Sequence, residues 1–336
     1  MTSAYEILAQ LKRTASGPMT EARGAEPAFY WNEEVASAEE NAIFRHDWVC
    51  PGLASEIPDV GDYLTFSIAG EPVFSIRDSS GEINTYANIC RHRMMQLLQG
   101  RGRTSRVTCP YHAWSYNLQG QLVGAGHMNH SAGFDKTKIC LPQIRTEIWN
   151  GWIYITLNPD AQSMREALAP LNDVVARYGM EHYVAVLNEE HVWQTNWKLL
   201  TENFMEGYHL PVAHKATVGA WFAPNKTVFP DQSYDSFTYQ TFAKTHAARY
   251  GQAHPDNTRL TGEWRNTSIL PTVFPTHMYV LAPDHLWYLS LRPRGVGAVD
   301  VRLGVGIATE VDAMLIGAAE RAAWIGDLVA FFEHVN

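Results

Sequence analysis

The sequence predicts an α+β protein of two domains, an antiparallel β-rich domain followed by one that lays helices on an antiparallel sheet. Short runs with period-two alternation, separated by Gly, Asp, Ser and Pro, fill residues 41–160. Runs with helical spacing occupy residues 161–210 and the stretch from Ala313 to Val335, and residues 269–308 between them return to strands. A length of 336 residues suits about two domains.

Residues 1–40 read as a short helix and an irregular lead-in carrying Pro18, Pro27, Phe29, Tyr30 and Trp31. The β domain spans 41–160, with strands such as Asp62–Ile68, Pro72–Ile76 and Gly151–Ile155. Asn158-Pro159-Asp160 ends it, because a proline flanked by Asn and Asp stops regular structure. In the second domain, 161–336, helices are expected over Arg165–Tyr178, Asn196–His209 and Ala313–Val335. Its strands are Met278–Leu281, Leu286–Leu289 and Val301–Val305, with Ala282–His285 as a hairpin turn.

Hydrophobic residues at 46% and charged ones at 18% leave enough apolar material for real cores and exclude disorder as a description of the whole. No apolar run approaches the roughly 18–20 residues of a membrane helix. Residues 1–17 interleave Glu6, Lys12 and Arg13 with Ile7, Leu8 and Leu11, which is no signal-peptide centre. With 26 basic against 35 acidic side chains and no dense basic run, a nucleic-acid backbone is excluded as a partner. A cytoplasmic protein without a membrane partner is expected.

The four cysteines are Cys50, Cys90, Cys109 and Cys140. Cys50 and Cys140 have no His or Cys close by and read as buried thiols. Cys90-Arg91-His92 and, sixteen residues later, Cys109-Pro110-Tyr111-His112 give C-x-H…C-x2-H. Two thiolates and two imidazoles can hold a zinc ion or an iron–sulfur cluster. Zinc sites pair Cys with Cys and His with His, whereas here each loop supplies one of each. That pattern suits a [2Fe–2S] cluster with cysteines on one iron and histidines on the other.

These loops, the Leu98–Gly102 stretch and the aromatics Tyr111, Trp114 and Tyr116 resemble the Rieske oxygenases. Rieske proteins of respiratory complexes carry an extra cysteine in each loop. Here Tyr111 holds one of those places and Arg93-Met94-Met95 follows His92, so the resemblance is to the disulfide-free type. The reduction potential is expected in the lower part of the roughly −150 to +300 mV Rieske range.

A second constellation lies at Asn196-Trp197-Lys198…Glu202-Asn203…Glu206-Gly207-Tyr208-His209…His214. On one continuous helix, Glu202, Glu206 and His209 share a face. Pro211 is expected to end that helix and bend the chain so that His209 and His214 converge. Two histidines and a carboxylate make the facial triad of non-haem Fe(II) oxygenases. The run resembles the Rieske oxygenase α-subunit motif almost position by position, and the resemblance extends from about residue 28 to the end. It implies a helix-grip catalytic domain, the lead-in packed against it, and His209 and His214 as ligands of a mononuclear iron. It also implies Glu206, with Asn203 beside it, as the bridge for electrons from the cluster. A cluster histidine, His112, would reach Glu206 across a subunit interface, which implies a homotrimer.

The family's third ligand is an Asp within an Asn-x-Glu-Asp-like segment, expected just beyond Asn336 in a chain lacking its C-terminal end. Asp327 and Glu333 read as solvated helix residues. With no Gly-x-Gly-x-x-Gly unit and no flavin site, electrons from NAD(P)H must come through a separate reductase, with or without a ferredoxin. Glu206 and the Glu-Gly-Tyr-His-Leu-Pro run look most like the choline, carnitine and betaine branch. Monooxygenation and N-dealkylation of a small quaternary ammonium or N-methylated amine, with O₂, is the function implied. Trp221, Phe222, Trp264, Tyr279, Trp287 and Tyr288 are candidate pocket aromatics for such a cation. The alternatives are hydroxylation of an aromatic or alicyclic ring, a Rieske electron carrier without oxygenase activity, and a zinc-stabilised binding module.

Overall fold

Ser3 and Glu6 cap the first helix reciprocally: the Ser3 hydroxyl accepts from the Glu6 amide, and the Glu6 carboxylate accepts from the Ser3 amide at 2.9 Å. This helix, α1 (Ala4–Ala15), precedes α2 (Pro27–Trp31) and α3 (Glu33–Glu39), and Asn32 caps the last through the amides of Glu34 and Val35. The computed structural model describes residues 3–21, 23–220, 227–244 and 250–333. The chain divides into two units, Phe44–Glu166 and Met1–Ile43 with Ala167–Asn336.

The unit Phe44–Glu166 is built from β1 (Val49–Leu53), β2 (Asp62–Ile68), β3 (Glu71–Arg77), β4 (Ile83–Ala87), β5 (Arg101–Arg103), β6 (Val107–Thr108), β7 (Ser115–Tyr116), β8 (Leu122–Gly124), β9 (Gln143–Trp149) and β10 (Trp152–Thr156). One sheet runs β1-β10-β9-β4-β3-β2-β5 and a small one β6-β7-β8, both antiparallel. In β2 the predicted alternation appears directly, with Leu64, Phe66 and Ile68 buried. Phe74, Tyr86, Trp114 and Tyr116 form a core that includes Cys90 and Cys109. Cys50 is buried as expected, but Cys140 is exposed. It pairs with exposed Gln121 in an isolated antiparallel bridge, and paired side chains share one face, here the outer one.

A one-turn helix, α4 (Met164–Ala167), leads into the rest of the second unit. There follow α5 (Ala169–Val175), β11 (Val184–Trp193), α6 (Trp197–Met205), α7 (Leu210–Ala213), β12 (Phe237–Ala243), β13 (Thr267–Val273), β14 (His277–Leu281), β15 (His285–Arg294), β16 (Ala298–Ile307), α8 (Thr309–Met314) and α9 (Ala318–Glu333). The strands form one antiparallel sheet, β11-β16-β15-β14-β13-β12, with α6 packed on β12, β13 and β15. Helix on antiparallel sheet is the predicted architecture. Two of the differences from expectation lie in β11 and between α8 and α9. Residues 184–193, expected in a helical stretch, are an edge strand whose Asn188-Glu189-Glu190-His191 face solvent or are half-buried. The helix expected over Ala313–Val335 is interrupted at Leu315–Gly317. Gly317 falls where helix propensity is weakest, a cost of about 1 kcal/mol relative to Ala.

Helix α6 is pinned from the N-terminal segment. Asn196 caps it at the Lys198 amide and donates to the carbonyls of Tyr30 and Val296 at 2.7 and 3.0 Å. Lys198 and Glu39 form a buried ion pair at 2.6 Å, and Trp197 Nε1 donates to the same carboxylate. Tyr30 donates to Glu202, so this carboxylate is not simply solvated; burial, then the carboxylate's proximity, push the Tyr30 phenol up to about 12. No helix among the described residues is long and apolar enough to cross a membrane.

Candidate functional site

The two Cys–His loops share one backbone design. The Cys90 amide donates to the Met95 carbonyl and the Cys109 amide to the Trp114 carbonyl, each at 2.8 Å. Cys90 and Cys109 are 0% and 3% exposed, whereas His92 and His112 lie on the surface with ring centroids 4.7 Å apart. Trp114 stacks on His92 at 4.8 Å with planes 9° apart, and Tyr111 lies against His112 at 3.8 Å. The Tyr116 hydroxyl lies 3.3 Å from Cys90 Sγ and accepts from the Arg91 amide. Burial, with the Cys90 side chain next in weight, pushes its pKa well up, so it stays a donor. Two inner sulfurs under two outer imidazoles fit a [2Fe–2S] cluster, each metal taking two donors of one kind.

Among the described residues, no three of His, Cys, Asp and Glu close on a single metal ion. His209 and His214 do converge, with ring centroids 5.1 Å apart. The convergence arises differently from the expected bend. Helix α6 ends at Met205, and Glu206 is already extended, with φ −119° and ψ 142°, so Glu202, Glu206 and His209 do not share a continuous helix. Pro211 does not break the chain. It sits in the first turn of α7, where its missing amide is no loss. His209 and His214 cap the two ends of that single turn.

Glu206 binds His209 Nδ1 and also accepts from the amides of Tyr208 and His209. Holding Nδ1 leaves Nε2 as the ring's ligand atom. Burial, and then the neighbouring His209, hold His214 below the usual histidine value, favouring the neutral imidazole a metal needs. Two imidazoles with an outer carboxylate fit the chemistry of an iron site, and the third donor is not among the described residues. Asp327 is exposed on α9 and does not join them. The side chain of Glu333 and all of Asn336 lie outside the described residues.

A cavity of about 370 Å³ opens between α6 and the sheet, lined by His209, His214, Glu206 and Asn203 together with apolar residues. Of the predicted pocket aromatics, Trp287 lines it, with Phe204 edge-on at 5.8 Å. Tyr279 and Tyr288 are not among its lining residues: they pair across β14 and β15 on the opposite face from the Val280–Trp287 pair. Trp264 lies away from it, under the Arg177 guanidinium at 3.9 Å. Trp221 and Phe222 lie outside the described residues.

Sequence reasoning missed the cavity's basic side. Lys244 and His285 both line it, as do Phe242 and Trp287 two residues from each. The period-two spacing Phe242-x-Lys244 was the available signal.

The family model of the Rieske [2Fe-2S] domain matches residues 47–141, and that of the ring hydroxylating alpha subunit catalytic domain matches 180–335. The chain is 33% identical over 218 residues to the glycine betaine monooxygenase oxygenase subunit of Chromohalobacter salexigens, covering 63% of this chain and 49% of that one. It is 33% identical over 189 residues to the carnitine monooxygenase oxygenase subunit of Escherichia coli K12, covering 55% and 50%. The chain thus spans about half the length of these relatives. The quaternary ammonium Rieske monooxygenase CntA, whose structure concerns carnitine oxidation and inter-subunit electron transfer, superposes with a TM-score of 0.75 at 22% identity, covering 91% of this chain and 79% of that one. Naphthalene 1,2-dioxygenase from Rhodococcus sp. bound to indole gives 0.76 at 25% identity, covering 91% and 78%.

Proposed function

The chain belongs to the Rieske-type ring-hydroxylating oxygenase α-subunit family, and from that premise we propose that it is a terminal oxygenase for a small quaternary ammonium or N-methylated amine. A Rieske [2Fe–2S] cluster and a mononuclear iron are the cofactors of this family, with O₂ as oxidant. When bound, the cluster supplies single electrons and the iron supplies the O₂ chemistry. Cys90, His92, Cys109 and His112 would hold the first, and His209 and His214 would hold the second.

The roles of the protein's own groups follow. Glu206 orients His209 through Nδ1 and keeps that ring in one tautomer. The largely apolar lining of the cavity disfavours water around the open side of His209 and His214. Trp287 and Phe204 offer ring faces and edges to an N-methyl cation. His112, exposed beside Tyr111, donates to Glu206 of a neighbouring subunit in a homotrimer. A separate reductase, with or without a ferredoxin, feeds the cluster, in the cytoplasm. One arrangement supports the reading above all: an imidazole pair held by Glu206 opens on an apolar cavity, in a chain that also carries the Cys–His loops.

The test supplies a reductase, NADH and a panel of N-methylated amines and aromatic hydrocarbons, following oxygen uptake and aldehyde release. Uptake matched by aldehyde from an N-methylated compound is expected. Uptake with arene hydroxylation alone would transfer the assignment to ring hydroxylation, which the largely apolar lining also accommodates.

A further inference from the structure

The unit Phe44–Glu166 carries a cavity of its own, on the face where Cys140 pairs with Gln121. Its volume of about 740 Å³ is in the range of small-molecule sites. Tyr86, Arg91, Lys138 and Cys140 line it, and no lining residue is acidic. Among the described residues nothing pairs with the exposed Arg91 guanidinium. Lys138 has only an exposed contact with Asp135 at 3.8 Å, which water screens. The cavity therefore presents positive charge.

Tyr86 gives it a buried donor. The residue is 4% exposed, with its ring centroid 5.7 Å from that of Phe74. A Cβ at Gly120, where φ is 76°, would lie 2.6 Å from the Tyr86 ring, so glycine there makes room for it. The Tyr86 hydroxyl has no hydrogen-bond partner among the described residues. It is not one of the polar atoms enclosed without a partner, and so it opens on the cavity. Burial, then Asp78 and Cys140, push the phenol up to about 12, which keeps it a donor at neutral pH. The Asp78 carboxylate is itself bound by the Ser80 and Glu82 amides, the Ser80 hydroxyl and Asn84, and it does not line the cavity.

A phenol, a guanidinium and an ammonium without an acid make a site for an anion, and Cys140 adds a nucleophile. The chain on either side holds that thiol outward. The Leu122 amide donates to the Ile139 carbonyl at 2.9 Å, and the Leu141 amide donates to the Gly120 carbonyl at 2.8 Å. Leu141 packs into the core that includes Cys90 and Cys109, while Cys140 between them is exposed.

We propose that Cys140 is a site of S-thiolation by an anionic low-molecular-weight disulfide, gathered by Arg91, Lys138 and the Tyr86 hydroxyl. The Cys140 thiolate attacks one sulfur of the disulfide, the old S–S bond breaks, and a new one joins Cys140 to half of the reagent. The other half leaves as a thiolate and takes up the proton that Cys140 released. Cys140 is oxidised and the leaving sulfur reduced, so the disulfide itself is the oxidant. Arg91 stands between Cys90 and His92 in the sequence. An adduct drawn to it brings negative charge to that loop, which disfavours a reduced cluster there.

The experiment incubates the cluster-loaded protein with glutathione disulfide or with neutral 2-hydroxyethyl disulfide, and follows adducts by intact mass and peptide mapping. The neutral thiol N-acetylcysteine amide gives the intrinsic rate ratio of the two reagents. Relative to it, Cys140 is expected to favour glutathione disulfide by about fivefold, the size of a solvent-exposed ion pair. Raising the salt to about 1 M, which needs no variant, is expected to erase most of that preference. Arg91→Gln, checked for its visible spectrum, is expected to lower it while leaving the rate with the neutral reagent unchanged. The thiolated protein is expected to show a lower midpoint potential in a redox titration, with the adduct confirmed by mass afterwards. An adduct mapped to another cysteine, no preference for the anionic reagent, or a preference that survives both salt and Arg91→Gln would overturn the site. A potential unaltered by the adduct would overturn its link to the cluster.

Discussion

Met94 and Ala113 are structural equivalents: each lies four residues past the cysteine of its Cys–His loop, Cys90 or Cys109, each has φ 56°, and each donates its amide to that cysteine's carbonyl, at 3.0 and 3.1 Å. A left-handed turn thus closes both loops, although the histidine comes two residues after Cys90 and three after Cys109. Neither position is glycine, so both carry backbone strain of about 1–2 kcal/mol.

That strain makes Ala113 sensitive to branching. Ala113→Val is expected to lower stability by a further ~1 kcal/mol and to speed loss of visible cluster absorption on warming, because a β-branched side chain tolerates positive φ poorly. Ala113→Gly is expected to hold the cluster at least as well as the parent. Absorption followed through a thermal ramp distinguishes them.

Tyr116 addresses the potential. Its hydroxyl is the hydrogen-bond partner of Cys90 Sγ at 3.3 Å, and a donor to a ligating sulfur favours the reduced, more negative cluster. Tyr116→Phe is expected to lower the midpoint potential by roughly 20–60 mV, up to about tenfold in a one-electron equilibrium. Redox titration monitored by absorption reads it.

His277 predicts part of the acid sensitivity. Burial among Tyr279 and Tyr288 depresses it from 6.5 to about 3, so it folds neutral. A folded value below the unfolded one gives stability that is complete above pH 6.5 and lost as pH falls toward 3, because the unfolded chain binds the proton first. Between pH 7 and 5 the parent is expected to lose about 2 kcal/mol more than His277→Gln, at ~1.4 kcal/mol per pH unit. Urea titrations at the two pH values check this.

Much of the architecture was legible because strong local patterns produced it. The alternation of Asp62–Ile68 is a strand with one buried face, and the Cys–His spacing stands out whatever surrounds it. Harder to read was β11, whose polar middle belongs to an edge strand and shows no clean period. The end of α6 at Met205 was hidden too, since Glu206 is a good helix former and only the binding of its carboxylate to Tyr208, Gly207's neighbour, and to His209 favours the extended turn. Pro211 looked like a break and is a first-turn residue instead. Among the aromatics, Tyr279 and Trp287 looked alike in composition, and only the register of β14 on β15 separates the outer face from the cavity. Lys244 offered only its spacing from Phe242 as a signal, because it is the fold that brings the Tyr250 carbonyl and the Asp284 charge close to its ammonium.

The central claim is that Glu206 couples the two iron centres through His209. The direct test reduces the cluster of Glu206→Gln, mixes it with O₂ and substrate, and follows cluster reoxidation in the visible. Glu206→Gln is expected to keep the parent's iron content while its cluster stays reduced and no product forms in a single turnover. Reoxidation and product formation at the parent's rate in that variant would contradict the claim.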